Sequence, residues 1–378
     1  MGRDVAGPPY LEHRLTDLLE QIFHELGLPT ERQPIEPQRE NILARVDGAT
    51  PPEQGGPLLL LDAHQDTVPV DGMTIDPFRP WEAEGRIHGR GACDVKGGMA
   101  AMISALARLA RERPAGCPTV VLACPVNEEY GFTGATGLAE GWAPGQSRLL
   151  PRPPDAVVVA EPTDLQVVVA HKGVIRWRCH THGRAAHSAH PTAGENAIYR
   201  MAGVLQAVEG YAEEVVGRLG SHPLVGAATL SVGTIHGGVS VNTVPDRCTI
   251  EIDRRVPPGE EPAAAREHLI EYLRERAELG RALEHDLPYM QSRPLSDADN
   301  GELAARVVAS CRPVTGECRA LGVAYGTDAG VYSALGVPSV VFGPGGIEQA
   351  HTRDEWIDLQ QLNQAAEIYY RLAATWCN

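Results

Sequence analysis

Apolar positions along this chain follow two rhythms. Leu11, Leu15, Leu18, Leu19, Ile22 and Leu26 recur at helical spacing, and Gly27 with Pro29 closes the stretch, so residues 10–27 predict an amphipathic helix. Residues 97–111 predict a second, Ala-rich one. Between and after them lie short apolar runs with no polar alternation, at 58–63, 119–126, 156–160 and 338–342. Such runs suit strands buried on both faces. With a further strand at 41–46, strands alternating with helices predict an α/β domain around a mainly parallel sheet.

The middle of the chain alternates differently. Residues 174–181 read as a half-exposed strand, 195–214 as a helix, 227–235 and 247–254 as two strands, 262–276 as a helix and 283–289 as a last strand. That β-α-β-β-α-β order is the ferredoxin-like pattern. The α/β domain is therefore expected in two parts, 1–171 and 287–378, interrupted by an inserted α+β domain at 172–286.

Composition narrows the function. The 378 residues are 43% hydrophobic and 22% charged, an ordinary globular mix. Lys+Arg is 33 against Asp+Glu 49, a net charge of -16, which disfavours nucleic acid and anionic membrane as partners. No apolar run is long enough to span a bilayer, and no apolar core of a secretory signal follows Met1. None of the eight cysteines forms a C-x-x-C pair, so reduced thiols and a cytoplasmic location are expected. No dinucleotide or P-loop glycine motif opens a helix, which removes a nucleotide-dependent dehydrogenase.

The candidate chemistry sits where the buried runs end. Residues 58–63 lead into His64-Gln-Asp66, 119–126 into Asn127-Glu128-Glu129, 156–160 into Glu161, and 338–342 through Gly343-Pro-Gly-Gly to His351. Asp94 lies just before the 97–111 helix. In an open α/β sheet the ligand site lies outside the carboxyl ends of the strands, so these residues converge. Each alone has an ordinary role: Asp94 as a helix cap, Glu128-Glu129 as a solvated turn, His64 as a core histidine. Together they are a costly concentration of carboxylates unless a cation neutralises them. Imidazole and carboxylate without thiolate suit zinc, with cobalt or manganese as alternatives, and two ions fit if one carboxylate bridges.

These motifs identify a resemblance. Ala63-His-Gln-Asp-Thr-Val-Pro, Gly89-Arg-Gly-Ala-Cys-Asp-Val-Lys-Gly-Gly, Asn127-Glu-Glu-Tyr-Gly, Ala160-Glu-Pro-Thr and Gly343-Pro-Gly-Gly-Ile-Glu-Gln-Ala-His resemble those of the two-zinc aminoacylase/carboxypeptidase metallohydrolases. Acetylornithine deacetylase and succinyl-diaminopimelate desuccinylase belong to that family. Gly183-Arg-Ala-Ala-His-Ser and Asn242-Thr-Val-Pro extend the likeness into the insertion.

The resemblance implies two zinc ions held by His64 and Glu161 on one side and Glu129 and His351 on the other, with Asp94 bridging. It implies that Asp66 orients the His64 ring, that Glu128 is the general base, and that a cis peptide joins Asp94 to Val95. The residues alone do not say which of Glu128 and Glu129 binds metal. Of the four histidines in 180–190, the resemblance picks only His187, as a lid residue acting on the substrate carbonyl. His180 and His182 are expected at a surface or interface. Arg255 matches an arginine that binds the substrate α-carboxylate, with a surface salt bridge as the ordinary alternative; Asn242 is a lid contact or merely a turn residue, and the Gly343–Gly346 loop, with Gly345, either offers N–H donors to a carboxylate or is simply a tight connection. The implied reaction is hydrolysis of an N-acyl amino acid, acetylornithine deacetylase-like, in a homodimer paired through the inserted domain. A carboxypeptidase or dipeptidase acting on short peptides, and a desuccinylase, are the alternatives.

Overall fold

A computed structural model describes residues 11–143, 145–276 and 283–377. The chain divides into two compact units. One runs up to Ala170 and takes in Leu295–Gly322 and the chain from Thr327 onward; the other is His171–Pro294 with Val323–Gly326.

The first unit is built on an eight-stranded sheet. Its spatial order is Thr30–Glu36, Arg39–Val46, Thr119–Cys124, Leu58–Asp62, Ala156–Val159, Ser339–Val341, Val167–His171 and Ala320–Val323. The four central strands, from Thr119–Cys124 to Ser339–Val341, are mutually parallel, and the strands flanking them, Arg39–Val46 and Val167–His171, pair antiparallel. Unbroken apolar runs belong at that centre because helices cover both faces. Leu59, Leu61, Val120, Leu122, Val158 and Val340 pack against Leu19 and Phe23 of helix His13–Glu25, Met102 and Leu106 of helix Gly97–Glu112, and Ile368 and Leu372 of helix Leu359–Ala374. The alternate residues Leu58, Leu60, Val121 and Val157 are equally buried. Each such side chain stabilises the fold by about 1.5–3 kcal/mol relative to exposure.

The second unit has the ferredoxin-like topology. Its antiparallel sheet runs Thr229–Gly237, Arg247–Val256, Gly173–His182, Leu283–His285, with Met290–Ser292 also paired to Gly173–His182. One face packs Ile175, Trp177, Ile250 and Ile252 against Met201 and Val204 of helix Ala197–Glu214 and Leu269 and Leu273 of helix Pro262–Arg276. The opposite face carries cross-strand ion pairs, Arg176 with Asp253 at 2.6 Å and Arg178 with Glu251 at 2.9 Å. Opposite charges facing each other across strands stabilise the register.

Three details differ from the sequence expectations. The strand expected at 283–289 is two short ones, Leu283–His285 and Met290–Ser292, because Pro288 lacks the N–H a continuous ladder needs. Asp94 does not cap the Gly97–Glu112 helix: it lies within the irregular turn Ala92–Lys96, and the residue at the cap is Lys96. His180 is buried, not at a surface; its Nδ1 meets Thr249 Oγ1 at 2.8 Å and its Nε2 lies 3.1 Å from Asp286. His182 is the exposed one of the two, paired with Glu284 at 2.7 Å.

A candidate two-metal centre

The carboxyl ends of the parallel strands hold the chemistry. His64 follows the Leu58–Asp62 strand, and Glu161 follows Ala156–Val159. Glu128 and Glu129 follow Thr119–Cys124 across a tight loop. There Asn127 takes a left-handed backbone (φ 64), and its carbonyl accepts from Gly131 N at 3.2 Å and Phe132 N at 2.7 Å. Asn tolerates that conformation better than most residues. His351, also left-handed (φ 60), arrives from the Gly343–Gly346 turn beyond Ser339–Val341. Gly343 is required there, since a Cβ would lie 2.5 Å from the Glu161 carbonyl. The Asp94–Val95 peptide is cis.

These residues meet. His64 Nε2 lies 3.0 Å from Asp94 Oδ1 and 3.9 Å from Glu161 Oε1. His351 Nε2 lies 3.2 Å from both Asp94 Oδ2 and Glu129 Oε1. Asp94 thus faces one histidine with each oxygen, a bridging position. Two triads of possible ligand atoms fall within 4.8 Å of one another: His64, Asp94 and Glu129, and His64, Glu128 and Glu161. His64, Asp94, Glu128 and Glu161 are buried, while His351 is about half exposed.

Asp66 has a double task. Its carboxylate accepts from the backbone N–H of Glu128 at 3.0 Å and of Glu129 at 3.1 Å, fixing the loop that carries both glutamates. The His64 Nδ1 is nearest the Asp66 backbone carbonyl, at 3.0 Å, with the carboxylate at 3.6 Å. Despite burial, the His64 ring and these two N–H donors hold the Asp66 carboxyl down to about 2.

The charge balance is met either by bound protons or by a cation. Burial pushes Glu128 and Glu161 well above the usual carboxylate range, with repulsion from Glu161 and Asp94 respectively adding to it. Burial also raises Glu129 against the pull of its His351 hydrogen bond. Burial opposes charge on His64, yet its bonds to Asp66 and Asp94 outweigh that and hold the imidazolium. Bonds to Asp94 and Glu129 lift His351 to about 10. Four carboxylates and two imidazoles this close are neutralised by protons or by metal, and their oxygen and nitrogen donors suit a borderline divalent ion. The residues fit two such ions, and His64, Asp94, Glu129, Glu161 and His351 are placed where they could hold them.

Of the other expected residues, Gly345 lies in the first unit and His187, Asn242 and Arg255 lie in the second. There the Ala186–His187 strand pairs with Thr243–Val244, and Ser188 N donates to Asn242 O at 3.0 Å, so both side chains are exposed side by side. Arg255 is held by its neighbour Asp253 through Nε at 2.7 Å and Nη2 at 3.2 Å. The Gly345 N–H is donated to Gln361 Oε1 at 2.7 Å, and those of Gly343 and Gly346 to Thr163 and Gln349. These bonds take up the N–H groups of Gly343, Gly345 and Gly346, which favours the tight connection of the two alternatives for this loop.

Two buried acids escaped the sequence. Glu355 accepts from the backbone beside Asp94. Asp328 is 1% exposed with both carboxylate oxygens unpartnered, and burial followed by repulsion from Asp62 raises it well above its usual range. Neither sits at the end of an apolar run, the signal that located the others.

Comparison with known proteins agrees with this geometry. Residues 60–375 match the model of peptidase family M20/M25/M40, and the chain belongs to that family. It is 31% identical over 374 residues to an acetylornithine deacetylase of Myxococcus xanthus, covering 96% of this chain and 92% of that protein. It is 32% identical to the Proteus mirabilis acetylornithine deacetylase, covering 96% and 90%. Among solved structures, an M20 family metallo-carboxypeptidase from Sulfolobus solfataricus shares the fold at a TM-score of 0.77 and 18% identity, covering 96% of this chain and 94% of that one. A dinuclear metal-binding peptidase of Bacillus subtilis does so at 0.68 and 19%, covering 97% and 93%. The chain is a metal-dependent hydrolase of this family.

Proposed function

We propose that this protein is a two-zinc amidohydrolase that removes the acyl group of an N-acyl amino acid, with N-acetylornithine-like compounds as its substrate class. The observation that carries the reading is Asp94 facing His64 at 3.0 Å and His351 at 3.2 Å, with Glu128, Glu129 and Glu161 around them. Near 30% identity to acetylornithine deacetylases along almost the whole chain favours that substrate branch over the peptidases.

Two divalent ions, when bound, would polarise the scissile carbonyl and acidify the attacking water. Glu128 takes the proton from that water and returns it to the leaving amine. Burial, with repulsion from Glu161, raises its pKa above the usual carboxylate range, the direction that strengthens a general base. Asp66 holds the Glu128 backbone in place. His187, supported by Asn242, donates to the oxyanion, and it acts from the second subunit of a homodimer. Arg255 receives the substrate α-carboxylate, in exchange for its present partner Asp253.

The test is turnover by zinc- or cobalt-loaded protein of N-acetylornithine, N-acetylcitrulline, N-acetylmethionine, N-succinyl-diaminopimelate and a dipeptide panel. Preference for an N-acetyl amino acid is expected. Exclusive cleavage of dipeptides would replace the deacylase with a peptidase on the same site.

A further inference from the structure

Asp94 and His351 come from distant parts of the chain, yet their side chains meet at 3.2 Å. One buried ion pair lies behind both. The Glu355 side chain is fully buried, and its two oxygens accept four bonds. Oε2 takes Arg90 Nη1 at 2.6 Å and Gly91 N at 2.9 Å, and Oε1 takes Cys93 N at 2.9 Å and Asp94 N at 3.0 Å. The Arg90 side chain is 4% exposed, and its Nη2 donates to the carbonyls of Pro69 at 3.2 Å and Thr352 at 3.3 Å. Glu355 therefore grips the turn that presents Asp94, while Arg90 grips the residue next to His351. Gly91 is part of the same device: its left-handed backbone (φ 79) turns its N–H onto Glu355, and a Cβ there would lie 2.8 Å from Thr67 Cγ2.

Folding alone does not account for the pair. Burying two charges costs several kcal/mol each, and well-packed apolar side chains often do as well. What an ion pair adds is directed bonds to particular backbone atoms, here those beside two candidate ligands. Among the described residues, none of the pair's hydrogen bonds goes to His64 or Glu161.

We propose that Arg90 and Glu355 are positioning residues for one half of the centre. They set Asp94 against His351, and so determine how tightly the ion shared by Asp94, Glu129 and His351 is held. The ion on the His64 and Glu161 side shares Asp94 but not the Thr352 contact beside His351, so it depends on Arg90 less. This rests on the two-ion reading above.

The experiment is calorimetric titration of metal-free protein with zinc, paralleled by the visible spectrum on adding cobalt. Glu355→Gln and Arg90→Lys are compared with the parent. Arg90→Lys keeps the charge beside Glu355 and all three backbone bonds to it, but loses the fork that reaches Thr352, so it keeps the fold. Expected are two binding events in the parent. In both variants the event on the His351 side weakens by about 10–100-fold, the usual effect of losing a partner that orients a ligand, and in Arg90→Lys the other event changes by less than about threefold. Circular dichroism should match the parent. Equal weakening of both events, or no weakening, in a folded Arg90→Lys protein overturns the assignment. A parent that binds a single ion overturns the two-ion reading itself, which separates the two failures.

Discussion

Glu128 and Glu129 are neighbours with opposite duties in the proposed chemistry. Glu129 Oε1 already faces a histidine at 3.2 Å, whereas burial and Glu161 raise Glu128 without any such ring partner. Glu128→Gln should therefore leave both zinc affinities near the parent values and lower kcat by roughly 10²–10⁴-fold. Glu129→Gln should weaken zinc binding first. Kinetics at saturating zinc beside calorimetry separates the two, and loss of an ion from Glu128→Gln at unchanged rate per ion pair would reverse the roles. At this scale the sequence was most informative for residues that end buried strands. His64, Glu128, Glu129 and Glu161 lie two to five residues past such ends, and the topology brings them together. Glu355 and Asp328 were illegible because burial, not spacing, gives them meaning. In the sequence Asp354-Glu355 is an unremarkable acidic pair.

Among elements, legibility followed burial on two faces. The Leu58–Asp62 and Thr119–Cys124 strands announce themselves because every residue is inside. The Thr30–Glu36 strand does not: it holds four charged or amide residues and Pro34, and pairs on one side only, as an edge permits. Helix Gly301–Thr315 was hidden by Pro313 within it. In the second unit the Gly173–His182 strand and the segment paired to it carry a pH dependence. Burial pulls His171, beside that strand, down to about 4, and burial with Arg266 and Arg274 does the same to His285. Above 6.5 both rings are neutral folded or unfolded, and stability is unaffected. Between 6.5 and 4 the unfolded chain takes up protons that the folded chain refuses, so stability falls as pH drops through that window. The loss is on the order of 2 kcal/mol per histidine at pH 5. Urea midpoints at pH 7 and 5 check it, comparing the metal-free parent with the His171→Gln, His285→Gln double variant. The double variant should lose markedly less stability on acidification; equal losses would assign the effect to the carboxylates of the centre.

On the scale of the whole molecule, the proposed ligands and His187 belong to different units. The Thr229–Gly237 strand ends the second unit's sheet, with no strand on its outer side among the described residues. Near its end Ile198, Tyr199, Val239 and Val241 line one depression, and Val239 and Val241 are 94% and 100% exposed. An open edge beside exposed apolar side chains is a liability in a lone chain, and pairing with a second copy removes it. The proposed homodimer uses that surface, and His187 then serves the centre of the opposite subunit. Losing an oxyanion donor costs about 10²–10³ in kcat, so His187→Ala and Glu128→Gln are each nearly inactive alone. Mixed under conditions that exchange subunits, they form heterodimers. If His187 acts across the interface, one site of each heterodimer lacks both groups and the other is intact. Activity should return toward about a quarter of the parent value for random exchange, since half the dimers carry one working site of two. If His187 serves its own chain, every site keeps one lesion and the mixture stays inactive. Sedimentation on the same samples completes the test, because a fully active monomer would exclude an arrangement across subunits whatever the mixture does.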